Sequence, residues 1–278
     1  MRRKTAILMM QKNEDVLLKF WFAYHSQLVG AGNLFIFDNG SNDKSVVAML
    51  KEIEEAGGNV IRSHNKAEDF CNKGLVFLDY MQNLRKAGFK IFIPLDCDEF
   101  IGIESDRGLS IDSEQIFEEL AKCLRHQACQ ISHAYLNHPF EHDLFRRSDF
   151  KKVYGTFRDI DWLGEGFHHV RAPMEKSRLC YVHYHYRPFE DFRTKTAAKI
   201  SAHGQELSRN SLIKYANSDL NGHQNAGELL MTYEEYRYSF EKQRYENQLE
   251  PNSWFRSKLG SAPFEVARIS AGGGGRAS

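Results

Sequence analysis

The first hundred residues alternate between short apolar runs and helix-like segments, and this alternation restricts the possible folds more than any other feature of the chain. The apolar runs, which predict buried strands, are residues 6–10, 34–37, 59–62 and 91–95. The segments with apolar residues at three- and four-residue steps, which predict helices, are residues 16–29, 44–56 and 71–87. Such an order predicts an α/β fold with a mostly parallel sheet that is flanked by helices on both faces.

Beyond residue 110 the pattern is less regular. The predicted helices are residues 111–125, 190–200 and 233–248, and the predicted strands are residues 129–134 and 179–186. The stretch between these strands, residues 137–180, is predicted to be irregular. No linker divides the chain, so we predict one domain over residues 1–200, a helical C-terminal extension over 201–270 and a disordered, glycine-rich tail over 271–278.

Charge and cysteine content exclude several classes of protein. Lys plus Arg and Asp plus Glu each number 37, and this balance argues against binding to nucleic acid, which favours a basic excess. The five cysteines include no Cys-x-x-Cys pair, so we expect reduced thiols rather than disulfides or a structural zinc site. The apolar run near the N-terminus is too short for a signal peptide, and no run is long enough for a membrane helix. We predict a cytoplasmic protein, with peripheral contact at the inner face of a membrane left open.

An acidic cluster follows the fourth predicted strand directly, at residues 96–99 (Asp-Cys-Asp-Glu). Asp96 and Asp98 are two residues apart, and a turn can aim both carboxylates at one point. Carboxylate oxygens are the ligands that Mg²⁺ or Mn²⁺ requires beside phosphate oxygens and water. The alternative is a solvated acidic turn, but the buried strand before it favours a site, because ligands bind at the carboxyl ends of parallel strands.

Two further polar loops follow the first and second predicted strands. In the second loop Asp38 can accept hydrogen bonds from a ribose or a base, Gly40 permits close approach of a ligand, and Asp43 or Ser41 can cap the next helix. The first loop, residues 12–14, is a candidate third wall of the same pocket. No Gly-x-Gly-x-x-Gly follows the first strand and no P-loop motif exists, which argues against a dinucleotide site and excludes a P-loop.

Taken together, these segments resemble the nucleotide-binding half of glycosyltransferases with the GT-A (Rossmann-like) fold, above all family 2-like enzymes and the related family 92 group. The resemblance covers roughly residues 5–103, with a weaker continuation at residues 183–186 (His-Tyr-His-Tyr), Phe192 and Lys195. The matching segments are residues 11–14 (Gln-Lys-Asn-Glu), 22–25 (Phe-Ala-Tyr-His), 35–43 (Phe-Ile-Phe-Asp-Asn-Gly-Ser-Asn-Asp) and 95–100 (Leu-Asp-Cys-Asp-Glu-Phe).

The resemblance implies a metal-dependent, inverting glycosyltransferase of the hexosyltransferase type, as used in polysaccharide biosynthesis. The donor is a nucleotide diphosphate sugar, with UDP favoured over GDP, and the acceptor is a hydroxyl of a glycan or of a lipid-linked molecule. Mn²⁺ or Mg²⁺ would neutralise the departing diphosphate. The implied metal ligands are Asp96 and Asp98, with His183 or His185 as a third, and the implied nucleotide-binding residues are Lys12, Asn13, Glu14, Asp38, Asn39 and Asp96.

An inverting transfer also needs a base for the proton of the acceptor. The candidates are Asp159, Asp161, Glu165 and Asp191, of which we select Glu165, with Asp161 second. Glu165 lies between two glycines and near aromatic residues, a setting that suits an acceptor loop. The characteristic Glu-Asp base motif of family 2 is absent from a matching position.

Two alternatives from other functional classes stay open at this stage. One is a non-catalytic module that binds a nucleotide or a glycan, and the other is a nucleotidyltransferase that uses the same acidic metal loop. The loop at residues 12–14 lacks the Gly-rich, basic character that is usual for nucleotidyltransferases. The sequence does not indicate the oligomeric state.

Overall fold

The computed structural model describes residues 4–202, 204–220 and 223–265. The strands are β1 (Thr5–Gln11), β2 (Leu34–Asp38), β3 (Asn59–Ile61), β4 (Ile91–Leu95), β5 (Glu99–Ser105), β6 (Gly108–Ser110), β7 (Ala128–Ile131), β8 (His133–Asn137), β9 (Leu144–Ser148), β10 (Lys152–Gly155), β11 (Met174–Lys176), β12 (Leu179–His183) and β13 (Glu246–Asn247). The helices are α1 (Leu17–Val29), α2 (Lys44–Glu55), α3 (Ala67–Cys71), α4 (Lys73–Lys86), α5 (Ser113–Lys122), α6 (Phe189–Ala202), α7 (Arg209–Ala216), α8 (His223–Leu229), α9 (Tyr233–Glu241) and α10 (Leu249–Leu259). The predicted tail, 271–278, lies outside the described residues.

Seven strands form the first sheet, in the order β11-β7-β10-β4-β1-β2-β3. β1 is parallel to both β2 and β4, and β2 is parallel to β3. β10 is antiparallel to its two neighbours. The register sets Gln11 opposite Asp38, so the carboxyl ends of β1 and β2 lie side by side. The predicted fold class, α/β with a mostly parallel sheet, is confirmed.

Helices cover both faces of this sheet because its central strands are apolar on both faces. In β1, Ile7 and Met9 pack into a core with α1 and α2, whereas Leu8 and Met10 pack on the opposite side against α4. Side chains alternate between the two faces of a strand, so a continuous apolar run needs cover on both sides. This explains why the short runs at the start of the chain predict their strands so well.

A second sheet, with the order β13-β9-β8-β12-β5-β6, begins where the first sheet ends. Residues 96–98 form the turn that joins β4 of the first sheet to β5 of the second. β12 is antiparallel to β5, and their register sets His183 opposite Glu99. The junction between the two sheets therefore brings a histidine from a distant part of the chain to the acidic turn.

Several predicted elements differ from the observed ones in the less regular part of the chain. The single strand predicted over 129–134 is wrong, because the chain passes from the first sheet (β7) to the second (β8) at residue 132. Residues 137–180 contain β9, β10 and β11 instead of only irregular structure. The helix predicted over 233–248 ends at Glu241, whereas the helix predicted over 71–87 is present as α4, Lys73–Lys86, and the short helix α3 precedes it.

Two cysteines also depart from the prediction. The structure joins Cys123 to Cys129 in a disulfide, so the expectation of reduced thiols throughout is wrong. Their Cα atoms are 6.1 Å apart because the chain turns back between α5 and β7, and this separation suits a disulfide. Cys71, Cys97 and Cys180 are free.

The C-terminal part of the described chain is mainly helical, as predicted. Phe255 of α10 packs edge-on against Phe20 and Phe100 in the main core, and β13 pairs with β9. α6, α7 and α8 share a small core of their own around Ile200 and Tyr215. The boundary near residue 200 stays a prediction. No helix among the described residues has the length and apolar character that a bilayer crossing needs.

Gly74, at the second position of α4, lies close to the backbone at Leu163, so a substitution there tests how closely α4 packs on that loop. A Cβ atom there would overlap the backbone carbonyl oxygen of Leu163. We expect Gly74→Ala to lower the free energy of unfolding by about 2 kcal/mol, because a backbone atom cannot move aside as a side chain can. Urea denaturation measures the change.

Gly227→Ala in α8 is the matched control, since a Cβ atom at Gly227 would meet nothing within 4 Å. Alanine favours a helix over glycine, so this variant is expected to gain about 0.5–1 kcal/mol. Equal unfolding free energies for the two variants would contradict the close packing of α4 on the loop at Leu163.

Candidate functional site

The acidic turn and the end of β12 form the only cluster among the described residues in which three or more His, Cys, Asp or Glu side chains could hold a metal ion. Its members are Asp98, Glu99 and His183, and the ligand atoms lie within 4.8 Å of one another. The Nε2 atom of His183 lies 3.5 Å from Oδ1 of Asp98. The cluster exists because the register of β5 and β12 sets His183 beside the residue that follows Asp98.

The chemistry of these groups fits a divalent cation. Nδ1 of His183 is buried and has no hydrogen-bond partner among the described residues, which is unusual for a buried ring nitrogen. Burial opposes ionisation of Asp98, but the His183 imidazole outweighs it and holds the pKa of that carboxyl well below its usual range. Two carboxylates and an imidazole suit Mn²⁺ better than Mg²⁺, which prefers oxygen ligands alone.

Asp96 does not join this cluster, although the sequence predicts it as a metal ligand. Its two carboxylate oxygens each face a lysine: Oδ1 lies 2.6 Å from Nζ of Lys73, and Oδ2 lies 2.7 Å from Nζ of Lys152. Lys152 also reaches Glu99 at 2.9 Å. Burial opposes ionisation of Asp96, but the two ammonium groups keep the pKa of its carboxyl well below the usual range. Glu99 takes the place that was expected for Asp96.

Lys152 is the functional-site residue that the sequence analysis missed most completely. It follows Arg146, Arg147 and Lys151 in a basic stretch typical of a solvated surface, yet its side chain is only 1% exposed. It is the first residue of β10, and the pairing of β10 with β4 places it next to the acidic turn. Its ammonium group lies 5.0 Å from the centre of the Phe167 ring. Nothing in the local sequence distinguishes this lysine from its neighbours.

The loops after β1 and β2 are tied to each other by hydrogen bonds. The Gln11 side chain donates to Oδ1 of Asp38 at 3.0 Å, and the backbone N–H of Ser41 donates to the same oxygen at 3.1 Å. The Asn39 amide donates to the backbone carbonyls at 64 and 66, at 2.8 and 2.7 Å. Asn13 accepts from the backbone N–H groups at 42 and 43. These contacts fix the shape of both loops.

Arg187, just beyond β12, connects the first loop to α6. Its guanidinium group lies 2.7 Å from Oε2 of Glu14 and 3.0 Å from Oδ2 of Asp191. Lys195 of α6 donates to the backbone carbonyl of Asn13 at 2.7 Å. Lys12 is exposed, and no hydrogen bond to its side chain is found among the described residues. Residues that follow β12 thus hold the first loop, which hydrogen bonds join in turn to the loop after β2.

A cavity of about 240 Å³ opens beside Asp98 and extends between the helices that follow β12. α6, α8 and α9 supply most of its walls, and these walls combine aromatic, cationic and neutral polar groups. The residues that line it are Asp98, His185, Tyr186, Arg187, Phe192, Lys195, Thr196, Lys199, Asn225, Glu228, Met231, Tyr236, Ser239, Phe240 and Gln243.

The remaining predicted residues divide into those on the cavity and those away from it. His185 lines the cavity, and its ring lies 4.8 Å from that of His183, but it is not one of the three clustered ligands. Glu165 and Asp161 are exposed, and neither lines the cavity. Asp161 lies 3.9 Å from Arg171. The catalytic role of these two carboxylates stays a prediction.

Comparison with known proteins identifies no close relative. No protein-family model matches the chain, and neither does any curated protein sequence. Among solved structures, S. aureus TarS 1-349 is similar with a TM-score of 0.37 and 12% identity, over 85% of this chain and 72% of that chain. The same protein in complex with UDP is similar with a TM-score of 0.31 and 12% identity, over 91% and 78%.

A cytidylyltransferase from Leptospira borgpetersenii serovar Hardjo-bovis is also similar, with a TM-score of 0.30 and 14% identity, over 55% of this chain and 60% of that chain. At these identities and TM-scores, the likenesses assign no activity to the protein. The functional argument therefore depends on the geometry of the site.

Lys152 provides a test of the electrostatic support beneath the turn. We expect Lys152→Met to lower the free energy of unfolding by about 3–5 kcal/mol, because it leaves the buried carboxylate of Glu99 without its lysine and removes one of the two lysines paired with Asp96. Urea denaturation at neutral pH measures the loss. A second substitution, Glu99→Gln, should restore part of it by removing one of those charges.

Lys122→Met is the control, since Lys122 is also paired at 2.6 Å, with Glu119, but its side chain is 65% exposed. The ammonium group of Lys122 stays in water, and Glu119 keeps Arg178 at 3.5 Å, so we expect this pair to contribute below about 1 kcal/mol. A similar cost for both variants would show that Lys152 does not act as a buried counter-charge.

Proposed function

We propose that the protein is a metal-dependent, inverting glycosyltransferase that transfers a sugar from a nucleotide diphosphate sugar to a hydroxyl of a glycan or lipid-linked acceptor. The observation that carries the proposal is the position of Asp98, which belongs to the candidate metal cluster and also lines the cavity. A cation at this point would lie where the carboxyl ends of parallel strands favour ligand binding. The resemblance of the first three loops to GT-A glycosyltransferases supports the same conclusion.

Asp98 and His183 are the residues proposed to hold Mn²⁺, with Glu99 beside them. When bound, the cation supplies positive charge to the diphosphate as it departs, which is the difficult part of sugar transfer. Lys73 and Lys152 neutralise Asp96 and leave Asp98 as the carboxylate directed at the cavity. Asp96 is then proposed to act on the ribose rather than on the metal.

The nucleotide is proposed to bind across the loops after β1 and β2. Asp38 and Glu14 are nearly buried carboxylates at the ends of the strands, and both are already oriented by hydrogen bonds to Gln11, Ser41 and Arg187. A site that is organised before the ligand binds loses less entropy on binding. UDP is the favoured nucleotide, and Lys12, Asn13 and Asn39 are the proposed additional contacts.

Asp98→Asn tests the metal assignment without an acceptor. We expect UDP to raise the melting temperature of the wild-type protein when Mn²⁺ is present but not when EDTA replaces it, because a ligand that binds only the folded state stabilises it. Asp98→Asn should lose the Mn²⁺-dependent part of that increase. Thermal-shift titrations with UDP measure both.

Asp106→Asn is the matched control, because Asp106 is an exposed carboxylate at the turn between β5 and β6. It should respond to UDP and Mn²⁺ as the wild type does. An unchanged Mn²⁺ response in Asp98→Asn would remove the metal assignment. UDP binding without UDP release from UDP-glucose, UDP-galactose or related donors would favour the non-catalytic module.

A further inference from the structure

The cavity beside Asp98 contains one other carboxylate, and it comes from a part of the chain that the sequence analysis did not associate with the site. This is Glu228 on α8, which lies half-buried in the cavity wall. No hydrogen bond or ion pair holds its carboxylate among the described residues, whereas Glu14 and Asp96 are both fixed by cations. Glu228 is therefore free to accept a proton from a bound molecule.

We propose, on the basis of the glycosyltransferase function above, that Glu228 is the general base that deprotonates the acceptor hydroxyl. Asp98 and Glu228 both line the cavity, so a sugar bound there with its anomeric carbon at the cation could present an incoming hydroxyl to Glu228. Glu165, the base predicted from sequence, is exposed and does not line this cavity.

The walls around Glu228 suit a sugar hydroxyl. Tyr186, Phe192, Tyr236 and Phe240 line the cavity and pack on one another, with ring centres 4.7 Å apart for Tyr186 and Phe240 and 4.8 Å apart for Phe192 and Tyr236, so aromatic groups border the space. Aromatic faces pack against the C–H faces of sugars, while hydroxyl and amide groups in the same wall can fix the orientation of a hydroxyl. This mixture favours a carbohydrate acceptor over a purely apolar one.

The electrostatic setting of Glu228 also suits a base. Burial raises the pKa of its carboxyl, and the neighbouring Lys199 of α6 opposes that effect only in part. A carboxylate with a raised pKa holds a proton more strongly and is a better base near neutral pH. A carboxyl that lines a cavity and has a perturbed pKa is typical of a functional site rather than of a surface.

The proposed step balances as follows. The carboxylate of Glu228 takes the proton of the acceptor hydroxyl, and the electron pair left on that oxygen forms the new bond to the anomeric carbon. The bond from the anomeric carbon to the diphosphate oxygen breaks, and its electron pair leaves with the nucleoside diphosphate. When water replaces the acceptor, the same step releases free sugar.

Glu228→Gln tests the assignment, because glutamine keeps the shape of the side chain but cannot take the proton. The full chain is incubated with Mn²⁺ and a panel of UDP-sugars, water serves as the acceptor, and UDP release is measured beside UDP binding by thermal shift. We expect release to fall by about 100-fold or more, as for loss of a general base, with the Mn²⁺-dependent binding of UDP unchanged.

Glu234→Gln is the matched control, because Glu234 is exposed on α9 and does not line the cavity. It should release UDP at the wild-type rate. Normal release by Glu228→Gln, or loss of its UDP binding, overturns the assignment of Glu228 alone. A wild-type protein that binds UDP with Mn²⁺ but releases none from any donor overturns the proposed transfer and its base together.

Discussion

The buried ammonium group of Lys152 is the constraint on which the arrangement of the acidic turn depends. Three carboxylates, Asp96, Asp98 and Glu99, follow one another within four residues at the junction of two sheets. Burying charges of one sign is costly unless cations accompany them. Lys152 lies between Asp96 and Glu99, and with Lys73 it neutralises the inner part of the turn. Asp98, at the outer part, remains available.

Asp96 and Asp98 are similar aspartates in different surroundings, because the lysines lie beside Asp96 only. Both have a pKa below the usual range, but lysines are the cause at Asp96 and a histidine is the cause at Asp98. Each oxygen of Asp96 accepts from one lysine, whereas Asp98 pairs with an imidazole, a group that can share a cation with a carboxylate. The structure thus separates a carboxylate held by two lysines from one grouped with a histidine, although the two are only two residues apart.

The sequence predicts the central strands well because a continuous apolar run is a local property of the chain. β1, β2 and β4 are apolar on both faces, and the observed strands agree with the predicted runs to within one residue at each end. Asp43 caps α2 through hydrogen bonds to the backbone N–H groups of Ser45 and Val46, as one of the two proposed caps. The later strands are less predictable: β9 has two arginines among its five residues, β10 is only four residues long, and both lack a clear period of two.

Some residues of the candidate site are likewise recognisable from sequence, and others are not. The acidic turn and the loops after β1 and β2 are recognisable from sequence, because all three directly follow predicted strands, at the edge where parallel sheets bind ligands. Arg187 and Glu228 carry no such signal, since each is one charged residue among many in helical or irregular segments. They reach the site only because α6, α8 and α9 fold back over the end of β12.

By itself, the sequence determined the alternating core, the mostly parallel sheet and the acidic turn at its edge, because apolar periodicity and strand ends are local properties. Only the tertiary structure decided which carboxylate is paired internally and which faces a cavity. That choice depends on Lys152 and His183, which lie more than fifty residues from the turn along the chain. Strand register and helix packing bring them together, and no local pattern encodes either.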